Sequence, residues 1–282
     1  GLETINNTMI GDHAGYSIFG VGIGHNTFIG SQAGYTNTTA TENTYVGSSA
    51  GYSNSQGIGN TMIGYHAGYN NTAGNNTFIG QSSGALNTTG TDNVFVGKEA
   101  GANNTTATGN TFVGKSAGRL NTTGTSNTAN GSNALYNNGA GLANTAIGLQ
   151  SLFSNTTGNR NTAVGYFSLH DNTTASFNTA VGHSSLNNNS TGENNTAVGY
   201  QTLFSNTTGL GNTASGANAL YTDTTGQGNT ASGANALYTN KEHGNNNTAN
   251  GVDALLSNTK GDFNSAYGAN AMASNYQLGN NT

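Results

Sequence analysis

The chain has 282 residues, 6% of them charged, with no Pro, no Cys and no Trp. The missing cysteines exclude a disulfide framework, a zinc–thiolate site and a cysteine nucleophile. Six Lys and Arg against eleven Asp and Glu give a net charge of −5, so no basic patch can neutralise a run of phosphates, and charge-driven nucleic-acid binding is excluded. No apolar run approaches the length of about 18 residues that a membrane-spanning helix needs.

Asn (49), Thr (43) and Gly (44) make up nearly half of the residues. Low charge with abundant Gly and Asn is also a composition of disordered chains. An internal repeat argues against disorder here. The word Asn-Thr-aliphatic/aromatic-X-Gly begins at Asn7, Asn26, Asn43, Asn60, Asn76, Asn93, Asn110 and Asn127. It continues at Asn144, Asn161, Asn178, Asn195, Asn212, Asn229, Asn247 and Asn264. Most steps are 17 residues; the first is 19, the fourth 16 and the fourteenth 18.

A 17-residue unit is too short for a helix pair, which takes about 33 residues or more. It fits one coil of an all-β, parallel β-solenoid (β-roll): a strand, a corner, a second short strand and a return loop. The chain thus reads as one repeat solenoid over 1–282, of about sixteen coils. With each unit numbered from its Asn, position 5 is Gly in all sixteen, from Gly11 to Gly268, as a corner with positive φ requires. Positions 11 to 15, often Ser-Asn-Thr-Thr-Gly, are turn chemistry.

The repeats divide into two sub-blocks. In residues 7–126 position 3 is large, as in Phe28 and Phe112, and position 9 is Gly, as in Gly34 and Gly118. In residues 127–280 position 3 is Ala, as in Ala197, and position 9 is Leu or Met, as in Leu203. Close-packed interiors tolerate exchanges that conserve volume. The pairs Phe28/Gly34, Phe112/Gly118 and Ala197/Leu203 are therefore expected to face each other across a narrow core. Separate duplication of two repeat lineages is the alternative.

If position 3 points inward, the two-residue alternation of a strand sends positions 2 and 4 outward. Position 4 then lays down a stripe of Ile10, Ile29, Val46, Ile63, Ile79, Val96, Val113, Ile147, Val164, Val181 and Val198. Monomers rarely leave such a patch in water, so the stripe is a candidate self-association surface. An inverted roll, with position 4 as the core, is the competing arrangement. The Asn at position 1 is expected to stack into a hydrogen-bonded ladder. Tyr at position 10 (Tyr16, Tyr35, Tyr52, Tyr69, Tyr136, Tyr221 and Tyr238) would stack at a corner or meet sugars. The Asn-Thr-Thr triplets at Asn37, Asn87, Asn104, Asn121, Asn155, Asn172 and Asn206 fall in the return loop and match the N-glycosylation pattern.

No catalytic, cofactor or metal site is expected. His13 and His66 share a repeat position but lie three coils apart, roughly 14 Å at about 4.8 Å per coil, too far for a shared metal. Serine is too common for a Ser-His-Asp reading to carry weight. The Gly-rich words lack the Lys of a phosphate loop.

The words NTFIG at Asn26, NTAIG at Asn144 and NTAVG at Asn161 resemble the NSVAIG-type word in the head repeats of YadA-like trimeric autotransporter adhesins. Longer strings such as NTAVGYQTLFSNTTG, from Asn195, are also similar to repeats of bacterial and phage tail-fibre-like surface proteins. The resemblance implies a left-handed parallel β-roll, association of three chains, adhesion, and an extracellular or cell-surface location. The unit here is longer than that family's, and no charged neck or heptad stalk is present. The functional expectation is a structural or adhesive fibre subunit without catalysis, whose partner is itself, as a trimer or a head-to-tail filament. The alternative is a surface module that binds glycans or cell surfaces through Tyr rows, or ice through Thr rows. A solenoid core still in register at Ala266 and Met272 further suggests that the coil stack continues, in the same chain or in a neighbouring one.

Overall fold

The computed structural model describes residues 6–18, 24–240, 244–259 and 261–276. Among them every regular element is a β-strand, and the fold is a parallel β-solenoid. The chain forms two compact units, Gly1–Ala143 and Asn144–Thr282.

The first unit holds β1 (Thr8–Ile10), β2 (Thr27–Ile29), β3 (Thr44–Val46), β4 (Thr61–Ile63), β5 (Thr77–Ile79), β6 (Val94–Val96), β7 (Thr111–Val113) and β8 (Thr128–Asn130). Each pairs in parallel with the next, and like stacks on like: Phe28 beside Tyr45, Phe95 beside Phe112. The 16-residue step from Asn60 does not disturb this register, since Met62 still pairs with Phe78.

The second unit holds β9 (Thr145–Ile147), β10 (Thr162–Val164), β11 (Thr179–Val181), β12 (Thr196–Val198), β13 (Thr213–Ser215) and β14 (Thr230–Ser232). The same sheet continues through β16 (Thr248–Asn250) and β18 (Ser265–Tyr267). A three-stranded parallel sheet is made by β15 (Thr239–Asn240), β17 (Ser257–Asn258) and β19 (Ser274–Asn275).

A second strand in every coil was expected, and only these last coils have one. The cause is local. Positions 7 and 9 are both left-handed, as in Phe167 (φ 55°) and Leu169 (φ 51°). Two left-handed residues so close together curl the backbone and forbid an extended run between them. Only positions 11 and 12, beyond the curl, are free to extend.

Position 5 is a tight place in the coil. Gly97 has φ 134°, and a Cβ there would lie 2.5 Å from the Gly114 carbonyl oxygen of the next coil. Backbone stacks directly on backbone, so glycine is required for space as well as for φ.

The core is a narrow column. Phe28, Tyr45, Met62, Phe78, Phe95 and Phe112 are fully buried. The aromatic rings among them stack on either side of Met62, with centroids 4.9 Å apart for Phe28–Tyr45 and Phe78–Phe95 and 5.0 Å for Phe95–Phe112. Offset stacking of this kind adds to simple burial. Across the column, a Cβ on Gly118 would lie 2.4 Å from the Phe112 ring, and one on Gly34 would lie 2.7 Å from Phe28. From Ala129 onward the small residue sits in the strand, and Leu135, Leu152, Leu169, Leu186, Leu203 and Leu220 fill the space from the other side.

These leucines keep the left-handed backbone of the glycines they replace: Leu203 has φ 51° and Gly118 has φ 57°. Conformation alone therefore does not demand glycine at position 9; the opposing ring does. A left-handed leucine costs about 1 kcal/mol, which its burial, at about 1.5–3 kcal/mol, offsets. The exchange of core types lies inside the first unit, where Phe112 of β7 pairs with Ala129 of β8.

Candidate interaction surface and the polar ladders

The side chains of positions 2 and 4 leave the sheet on its outer face. Position 3 is buried in β2 to β14, while position 4 is exposed or half-buried, so the roll is not inverted. Ile10, Ile29, Ile63, Ile147 and Val198 are exposed. Val46, Ile79, Val96, Val113, Val164 and Val181 are half-buried by their own neighbours. Parallel register makes each row continuous within its unit: Ile29 beside Val46 beside Ile63, and Ile147 beside Val164 beside Val181. Along the position-2 row runs Thr, broken in the first unit by Val94. Strand geometry sets the mesh at about 4.8 Å between strands and about 7 Å between positions 2 and 4. In the second unit the aliphatic row ends at Val198 and gives way to Ser215 and Ser232.

The opposite wall of the core is polar, and its amides pair from coil to coil. At position 1, Asn60 donates its backbone N–H (2.9 Å) and its side-chain amide (3.1 Å) to the Asn43 Oδ1 of the coil before. Its amide also donates to the Ala73 carbonyl of its own coil at 2.9 Å. The pattern repeats along each unit, for example Asn93 to Asn76 and Asn212 to Asn195. Buried amides survive only when paired in this way.

A second ladder, at position 12, was not anticipated. Asn104 donates to Asn87 Oδ1 at 2.7 Å and to the Ala107 carbonyl at 3.1 Å, and accepts from the Asn121 amide at 2.9 Å. In the second unit Asn172, Asn189 and Asn206 each donate to the Asn one coil earlier, at 2.9, 3.0 and 2.7 Å. This ladder overturns the glycosylation expectation. Asn37, Asn87, Asn104, Asn121, Asn155, Asn172 and Asn206 are fully buried. The amide nitrogen that would carry a sugar points into the core, and in Asn104 both of its protons are used. A glycan on these residues is incompatible with the closed coil. One cue was in the sequence: this position stays Asn where the glycosylation pattern is lost, as at Asn54, Asn71 and Asn138.

The Tyr row stacks. Tyr16, Tyr35, Tyr52 and Tyr69 form a column with centroids 4.9–5.0 Å apart and planes within 9°. Their faces cover one another, which leaves edges and hydroxyls for any sugar. A further aromatic group lies on the second unit, where Tyr166 meets His183 at 5.0 Å and His183 meets Tyr200 at 5.3 Å. Tyr45, by contrast, is a core residue; its hydroxyl accepts from the Asn54 amide, and burial pushes its pKa up. Glu99 pairs with Arg119 at 3.1 Å.

Among the described residues no group of three or more His, Asp or Glu could hold a metal ion, and no helix is long and apolar enough to cross a membrane. No protein-family model matches the chain, and no curated protein is significantly similar to it.

Proposed function

We propose that this chain is a non-catalytic repeat module of an extracellular or cell-surface fibre, in which chains associate through the outer aliphatic stripe. The observation that carries this reading is the in-register row from Ile10 to Val113 in the first unit and from Ile147 to Val198 in the second. Aligned apolar side chains on a flat sheet face gain by being covered. The resemblance to YadA-like head repeats supports association of three chains and an adhesive role. Sedimentation of the wild type against an Ile29→Lys/Ile63→Lys variant tests the proposal. The wild type should sediment as an oligomer and the variant as a monomer. A wild type that stays monomeric at high concentration contradicts it.

A second reading is favoured by one feature of the first unit. Six of its first seven strands place Thr at position 2 beside Ile or Val at position 4, forming a regular mesh of hydroxyls and methyl groups. Such a surface suits ordered water at an ice face. Thermal hysteresis of the soluble protein decides this reading, and its absence at high concentration removes it.

A further inference from the structure

The position-12 ladder has one foreign rung. Of the sixteen coils, the first has Ile18 there, fourteen place Asn, from Asn37 to Asn275, and one places Asp223. Asp223 is buried like the asparagines. An Asn on this ladder does two things: its oxygen accepts from the coil after, and its amide donates to the oxygen of the coil before. Asp223 does the first. Its Oδ2 accepts from the Asn240 amide at 3.2 Å and from the Asn229 amide at 3.2 Å, and its Oδ1 accepts from the Gly226 N–H at 2.8 Å. An ionised carboxylate, which has no proton to give, cannot do the second. The consequence is visible one coil earlier, where the buried Oδ1 of Asn206 has no hydrogen-bond partner. In the neighbouring coils that same oxygen is used: Asn172 Oδ1 accepts from Asn189, and Asn189 Oδ1 accepts from Asn206.

We propose that Asp223 is a proton-operated rung. As the neutral acid its hydroxyl donates to Asn206 Oδ1 and the ladder is continuous; on ionisation the proton leaves to solvent, the rung breaks, and this coil becomes the weak point of the second unit. Among the described residues, the groups that hydrogen-bond to Asp223 are neutral. They are Thr225, Gly226 and Asn229 along the chain after it, and Asn240 one rung on. Lys241, Glu242 and His243, the next titratable residues after Asn240, lie outside the described residues. Burial raises the Asp223 pKa above its ordinary 3.8, against the lowering effect of its four hydrogen-bond donors. The linkage follows from that direction. A folded-state pKa above the unfolded value means that the folded chain binds the proton more tightly. The stabilisation is fully present below the unfolded pKa and is lost as pH rises through the folded one.

The test is Asp223→Asn, which installs the residue that fourteen other coils already carry. Thermal unfolding of both proteins is followed from pH 3 to pH 8. The difference cancels the background titration of the other carboxylates and histidines. The variant should melt close to the wild type at pH 3 and above it by roughly a few degrees at pH 8. A gap that does not change with pH, or a wild type more stable at pH 8, overturns the proposal. Carbon-13 NMR of Asp-labelled protein gives an independent reading, since the resonance lost in the variant belongs to Asp223. It should titrate above the other aspartates; titration at or below the ordinary value also overturns the proposal.

Discussion

Leu203 and Ala197 offer the sharpest test of how the core is filled. Leu203 is fully buried and left-handed, with φ 51°. Leu203→Ala removes buried carbon without relieving the backbone, so it should cost about 2–5 kcal/mol. Leu203→Gly removes one carbon more, worth about 0.8 kcal/mol, and relieves about 1 kcal/mol of left-handed strain. The two variants should therefore match within about 0.5 kcal/mol, whereas at an ordinary helix or strand position glycine is worse by about 0.5–1 kcal/mol. Ala197→Phe alone overfills the column and should cost about 3 kcal/mol or more. The double variant Ala197→Phe/Leu203→Gly rebuilds the arrangement of Phe112 and Gly118, where a Cβ on the glycine would lie 2.4 Å from the ring. A ring next to an alanine coil already occurs where Phe112 pairs with Ala129. The double variant should thus recover about 2 kcal/mol relative to the sum of its parts. Urea midpoints followed by far-ultraviolet circular dichroism measure this, provided the slope stays constant. Simple additivity, or a double variant worse than the sum, refutes the facing-pair account.

Other substitutions probe other columns, with Gly101→Ala and Asn104→Ala read by the same unfolding assay. Gly101→Ala should cost about 2–4 kcal/mol, because its Cβ would sit 2.5 Å from the Phe95 ring, which Phe78 and Phe112 hold from both sides. Gly97→Ala meets backbone rather than a side chain, so the ladder between its coil and the next should open, visible as lost amide protection in residues 94–114. Asn104→Ala orphans the Asn87 oxygen and the Asn121 amide and should cost about 2–5 kcal/mol. Expression in a host that glycosylates asparagine should leave the mass of the folded chain free of sugar at Asn104 and its buried equivalents.

The sequence made the strand word, the glycine corner and the inward position 3 legible, because each recurs in every coil and each follows from a period of two or a positive φ. The position-1 ladder was legible for the same reason. Position 12 was misread because Asn-Thr-Thr-Gly is good turn chemistry, and a turn suggests solvent. In a coil this narrow, the turn residue's side chain points inward and the amide closes the core from the other side. The missing second strand was hidden because nothing in Ser, His, Gln or Leu announces a left-handed backbone. Only stacking against the neighbouring coils enforces it, as at His66 (φ 56°) and Gln150 (φ 52°). Asp223 shows the same limit, since a lone Asp in a turn word reads as solvent-exposed until its burial is seen.

The proposed fibre role is tested most directly by electron microscopy of the protein as isolated from its source. The account predicts filaments or bundled fibres, with a β-strand repeat of about 4.8 Å along the fibre axis by diffraction. Discrete, isolated particles of single chains at high concentration would contradict it.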